Sequence, residues 1–278
     1  MNILPLIAMI LVSLAIYVIV NQSQETTSGW VIRLRQITIK MTSYSPLKVG
    51  FVFTVFIFFE LVTLIYLFKM YPWLIKMLYE VCIANVSFVA LSLWFDRIFH
   101  GKIYTFIKII LSIALGVSWV YYPHWAVYNI VGVLGAVAFI SLFPALDYAR
   151  MTAIGVGIVI YDIVGVYVTG WIVDLVRGFT FTPPAAVMIP TQISANPHIM
   201  IIGLGDIIIG GLILNMAKKY SSYIEALFAY FISIIFSYLL AYTTKQPVPA
   251  TIFIVPIMLL AVWLKSYILG LNLIKQPT

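Results

Sequence analysis

The sequence predicts an all-α polytopic membrane protein with nine transmembrane helices, and three observations carry that prediction. Of its 278 residues 63% are hydrophobic and 9% charged, with a mean hydropathy of +1.09; soluble domains carry about 25% charged residues. Nine apolar runs are each long enough to cross a hydrocarbon core, which takes roughly 20 helical residues. Two of these runs hold one carboxylate each, Asp162 in G-V-G-I-V-I-Y-D-I-V-G-V-Y and Asp206 in I-I-G-L-G-D-I-I-I-G-G. An acid in mid-bilayer costs about 2.5 to 3.5 kcal/mol on insertion scales, so it turns to a partner or to a water-filled cavity.

The runs lie near 3–20, 49–70, 75–96, 103–121, 125–144, 148–173, 199–217, 222–243 and 249–271. No basic residue precedes the first run and no small-x-small cleavage site follows Val20, so it reads as a retained helix rather than a signal peptide. The next segment, W-V-I-R-L-R-Q-I-T-I-K-M, fits an interfacial helix through Trp30, Leu34, Ile37 and Met41, and fits short alternating strands equally. Glu60 is the other deep acid, open to a helix–helix hydrogen bond or to a proton site. Lys76 and Glu80 are spaced to pair on one face, and Lys108 and Lys265 lie close enough to their helix ends to snorkel. Cys82, the single cysteine, excludes an intrachain disulfide and reads as a small core residue.

Asn196-Pro197 is a start signal for the seventh helix, and Ser222 with Glu225 forms an S-x-x-E capping box for the eighth. Pro249 has the place of a first-turn proline and Pro256 that of a kink. No connection is long enough to build a core of its own. The chain, 1–278, is therefore expected to be one membrane domain: helices one to six over about 3–173, an outer connection at 174–198, and helices seven to nine over about 199–271.

The net charge of +7 comes from basic residues scattered singly at the ends of apolar runs, a membrane-flank pattern that argues against nucleic acid as a partner. With the N-terminus outside, the cytoplasmic side holds Arg33, Arg35, Lys40, Lys48, Arg97, Lys102, Arg150, Lys218, Lys219 and Lys275. The other side holds only Lys69, Lys76, Arg177 and Lys245. The bias places the N-terminus outside and the C-terminus in the cytoplasm of a multi-pass protein of the cell membrane.

The two acids sit on consecutive, hence antiparallel, helices joined on the outer side. Counted from the ends of the apolar runs, Asp162 and Asp206 lie roughly 16 and 10 Å deep, close enough to meet. Gly155, Gly157 and Gly165 around the first, and Gly203, Gly205, Gly210 and Gly211 around the second, remove bulk where two helices must approach, though small-residue packing is common in any membrane bundle. Two carboxylates within hydrogen-bond reach share one proton; the charged one can activate a water and the neutral one can protonate a carbonyl oxygen. That chemistry serves an aspartic protease, and a proton relay in a transporter using Asp162, Asp206 and Glu60 nearly as well.

The motifs separate the two readings. Tyr161-Asp162, then Gly203-Leu204-Gly205-Asp206, then Pro249-Ala250-Thr251 resemble in order the Y-D, G-x-G-D and Pro-Ala-Leu signatures of the presenilin and signal peptide peptidase family of intramembrane aspartic proteases. The resemblance implies a presenilin-like fold, Asp162 and Asp206 as the catalytic pair, and Pro249 and Ala250 in the segment beside it. Thr251 departs from the pattern, standing where the family has Leu, which bears on local packing and substrate preference. Membrane-spanning substrate helices or remnant signal peptides within the lipid bilayer are the partners this implies, with no cofactor or metal; a homo-oligomer stays open. Prepilin peptidases share only the aspartate motif, and they commonly have Lys where Ile207 stands. Isolated His100, His124 and His198 offer no zinc motif, and Gly116-Val117-Ser118-Trp119 fails as a G-x-S-G serine site. A helical amide is shielded, so a substrate must unwind before cleavage. Gly178 to Pro183, G-F-T-F-T-P, alternates like a strand, and Phe179, Thr180 and Phe181 could pair with such an extended segment; an irregular outer loop is the other reading.

Overall fold

The computed structural model describes residues 44–95, 102–121, 124–143, 145–171, 186–190, 199–244, 246–271 and 273. The expected first helix, the W-V-I-R segment, the strand at Phe179–Phe181 and the Asn196-Pro197 start lie outside them, as do the side chains of Lys76 and Glu80. Eight helices fall on the remaining eight apolar runs: α1 (Pro46–Met70), α2 (Pro72–Phe95), α3 (Lys102–Tyr121), α4 (Trp125–Leu142), α5 (Tyr148–Asp162), α6 (Leu204–Lys219), α7 (Tyr223–Thr244) and α8 (Thr251–Ile268). Three spans among the described residues are clearly long and apolar enough to cross a membrane, Tyr148–Val168, Tyr223–Thr244 and Thr251–Ile268.

Three boundaries differ from expectation. Residues 199–203 are not the first turns of a helix: β1 (Ala186–Pro190) pairs antiparallel with β2 (Ile199–Gly203), Ala186 opposite Gly203, so among the described residues the fold is helical apart from one ribbon. The β-branched run I-M-I-I reads as helix or strand by periodicity alone, and pairing with Ala186–Pro190 decides it. At the other boundary α5 passes at Asp162 into a π-helical stretch, Ile163–Val168, and stops near Thr169, whose N–H and hydroxyl both donate to Val164 O at 2.8 Å. Gly170 then takes φ +66, turning the chain out of the helix five residues after Gly165. Finally, α8 starts at Thr251, so Pro249 precedes the helix rather than occupying its first turn.

The chain divides into two compact units. One contains α2, α3, α4 and the ribbon, with a core of Ile83, Trp119, Tyr128 and Val131 in which the rings of Trp119 and Tyr128 meet edge to face at 6.1 Å. Lys108 does not snorkel freely here: it is buried, with its ammonium 5.9 Å from the Phe88 ring. Cys82 is exposed, contrary to its expected place in the core.

The other unit contains α1 as far as Ile65, α5, α6 from Gly205, α7 and α8. Asp147 caps α5, accepting from Arg150 N at 2.8 Å and pairing with the Arg150 guanidinium, which also donates to Tyr44 O at 2.9 Å. Between α6 and α7 the chain reverses at Ser221, whose φ of 52 is left-handed. The expected capping box is not formed: the Ser222 hydroxyl donates to Ala217 O at 3.2 Å, and Glu225 pairs with Lys265 at 2.7 Å, tying the start of α7 to the end of α8. Phe51, Phe56 and Phe59 of α1 and Phe228 of α7 are exposed, surfaces suited to lipid rather than water.

Candidate active site

The helix carrying Asp162 packs through glycine. A Cβ on Gly155 would lie 2.6 Å from Val255 Cγ1 of α8, and one on Gly50 of α1 would lie 2.7 Å from Ala153 Cβ and 2.8 Å from Ala153 O of α5. A Cβ on Gly157 would collide with Thr54 Oγ1, which donates to Gly50 O at 2.8 Å. Side-chain bulk is thus absent where α5 meets α1 and α8, so Gly155 and Gly157 serve these contacts rather than the expected approach of α5 to the other acid-bearing helix. Gly205 differs, having no atom of the described residues within 4 Å of where a Cβ would stand, and Gly203 belongs to the ribbon. Gly210 and Gly211 are buried in α6.

Helices α5 and α6 run antiparallel, their neighbourhoods joined directly at one end and through a third helix at the other. At one end Tyr148 N–H donates to Tyr220 Oη at 3.2 Å, and Arg150 and Lys219 are near enough to interact electrostatically. Asp162 follows Arg150 by twelve residues and Asp206 precedes Lys219 by thirteen, each a span of about 18 to 20 Å at 1.5 Å per residue. The two carboxylates therefore arrive together at the opposite end.

Thr251, 2% exposed at the head of α8, meets both of them there. Its backbone N–H donates to Asp206 Oδ1 at 3.0 Å, and its hydroxyl donates to Asp162 Oδ2. The reason is local. The first N–H groups of a helix lack intrahelical acceptors, and Ala250 in the cap position has no side chain able to supply one. Asp206 fills that need from another helix while sitting in the first turn of its own, α6. The Asp162 and Asp206 side chains are half-buried, Ala250 is buried and Pro249 half-buried. Tyr161 sets its ring edge-on to Phe58 of α1 at 5.4 Å. Two features escaped the sequence reading: the α-to-π transition at Asp162, and the double hydrogen bonding by Thr251. Local widenings of this kind recur at functional sites, but nothing in the composition around Gly165 announces one. Glu60 is exposed on α1, so the transporter reading loses its third acid.

Half-buried acids from two membrane helices thus meet one residue of a third, an arrangement compatible with an aspartic peptidase that works inside the bilayer. A family model described as signal peptide peptidase matches residues 36–271, and the chain belongs to that family. It is an intramembrane aspartic endopeptidase, and its substrates are membrane-embedded helices. The fold is similar to a solved structure of a presenilin family intramembrane aspartate protease, at 17% identity and a TM-score of 0.60 over 96% of this chain and 98% of that one.

Proposed function

We propose that Asp162 and Asp206 are the catalytic dyad, Asp206 as the charged base and Asp162 as the acid. One observation carries this: a single buried residue, Thr251, hydrogen-bonds to both carboxylates. Asp206 lies at the N-terminal end of α6 and accepts the leading amide of α8, two positive helix ends that favour a negative charge. Asp162 accepts from Thr251 through Oδ2, leaving Oδ1 to carry the shared proton. Asp206 takes a proton from water as its oxygen adds to the scissile carbonyl, while Asp162 gives its proton to the carbonyl oxygen. Collapse of the diol breaks the C–N bond as Asp206 gives its proton to the amide nitrogen and one diol hydroxyl returns its proton to Asp162, which releases a carboxylic acid and an amine and restores the dyad. Replacement of either acid by Asn removes the base or the acid, and cleavage of a single-span substrate by the purified protein should fall at least about a thousandfold. Persistent cleavage by either variant would refute the dyad.

The chain has nine spans, with its N-terminus outside the cell membrane and its C-terminus in the cytoplasm. Partners are lipid and substrate helices, without nucleic acid. The substrate unwinds and adds as a strand at Phe179–Phe181, next along the chain to a ribbon that already supplies β-structure. Thr180→Pro or Phe181→Pro should then depress cleavage while leaving thermal unfolding in detergent unchanged, whereas wild-type rates would reject strand addition.

A further inference from the structure

We infer that the Thr251 hydroxyl is a positioning group for the dyad, a role that Leu in the family pattern cannot fill. The inference rests on the dyad reading above and deepens it. Any residue at 251 except proline offers a backbone N–H to Asp206, so that bond survives substitution. The bond to Asp162 belongs to the side chain alone. Asp162 stands at the α-to-π transition, where the helix geometry changes from the residue onward, so the hydroxyl holds its carboxylate at the least regular point of α5. Thr251 is buried and β-branched at the first position of α8, with Ile254 and Val255 buried after it, which restricts the hydroxyl's directions. One residue thereby sets the spacing of both acids. The hydroxyl also occupies one of the four oxygens over which the shared proton can be distributed, so its removal alters where that proton rests as well as how the carboxylates are aimed.

Thr251→Val keeps the shape and the backbone amide and deletes only the hydroxyl; Thr251→Ser keeps the hydroxyl. The test compares both with wild type, Asp162→Asn and Asp206→Asn, measuring kcat and KM for a single-span substrate across pH in detergent, with thermal unfolding recorded for each. The expected result is a loss of about tenfold or more in kcat for Thr251→Val, with KM near wild type and the pH profile of kcat displaced. Thr251→Ser should restore both rate and profile. A Thr251→Val protein that melts like wild type and cleaves with its kcat and pH profile overturns the inference. So does a fall in rate with an unmoved profile that Ser fails to rescue, since that is the mark of packing alone. The two aspartate variants keep the readings apart. If both are inactive while Thr251→Val is normal, the positioning role fails and the dyad stands; if either still cleaves, the dyad itself fails.

Discussion

At the scale of single residues, the glycines show why a motif and its packing have to be argued separately. Gly50 faces backbone: an added Cβ would lie 2.8 Å from Ala153 O and 2.9 Å from Ala153 C, atoms that no change of rotamer can move. Ala in place of Gly gains about 1 kcal/mol of helix propensity, but forcing α1 and α5 apart costs about 1 to 3 kcal/mol. Gly50→Ala should therefore lower the unfolding midpoint in detergent, with cleavage weakened because α5 carries Asp162. Gly205→Ala should behave oppositely, leaving the midpoint unchanged or slightly raised, since among the described residues nothing lies within 4 Å of the new methyl. Both glycines are equally visible in the sequence; only their surroundings distinguish them. The acids were legible because a carboxylate in an apolar run is costly wherever the chain goes. Thr251 was legible only as an anomaly, because the bonds that give it a role come from residues 45 and 89 positions away.

At the scale of elements, eight apolar runs fixed eight helices to within a few residues, since hydrocarbon length sets helix length. The errors gather at the two ends that carry the acids. I-M-I-I-G joins a ribbon through a partner strand that its own periodicity does not reveal, and this moves Asp206 from inside a helix to its first turn. The end of α5 widens into a π-helix and stops short of residue 173, although the apolar run continues to it. The capping box failed for another reason: Lys265, forty residues away, takes the Glu225 carboxylate. The α6–α7 turn offers a test free of the active site. Its closure donates Ser222 N–H to Ala217 O at 3.0 Å across Ser221, a residue with a Cβ held at φ 52. Such a left-handed residue costs about 1 kcal/mol that glycine does not incur. Ser221→Gly should therefore raise stability by up to about 1 kcal/mol, read as a higher unfolding midpoint. Cleavage should be unchanged, because the turn lies at the opposite end of α6 from Asp206.

At the scale of the whole molecule, the charges and the acids divide one bundle between them, and the division assigns a side to the chemistry. Arg150 contacts the Tyr44 carbonyl and lies near Lys219, and Lys48 stands over the Tyr44 ring at 4.6 Å, so basic residues from three stretches of sequence share one end of the unit. Asp162, Asp206 and Thr251 occupy the other. Basic flanks are retained on the cytoplasmic side; on the orientation proposed above, the proposed dyad would lie in the outer half of the bilayer, and substrates should be cut in the outer half of their spans. Cysteine labelling decides the matter. Cys82 is exposed and must first become Ser; single cysteines are then placed at Ser45 on the basic end or at Gln246 in the exposed connection leading to α8. On intact cells an impermeant maleimide should label Gln246→Cys at once and Ser45→Cys only after permeabilisation. The reverse pattern would turn the molecule over and move the cut to the cytoplasmic half, while leaving every contact between Thr251 and the two acids in place.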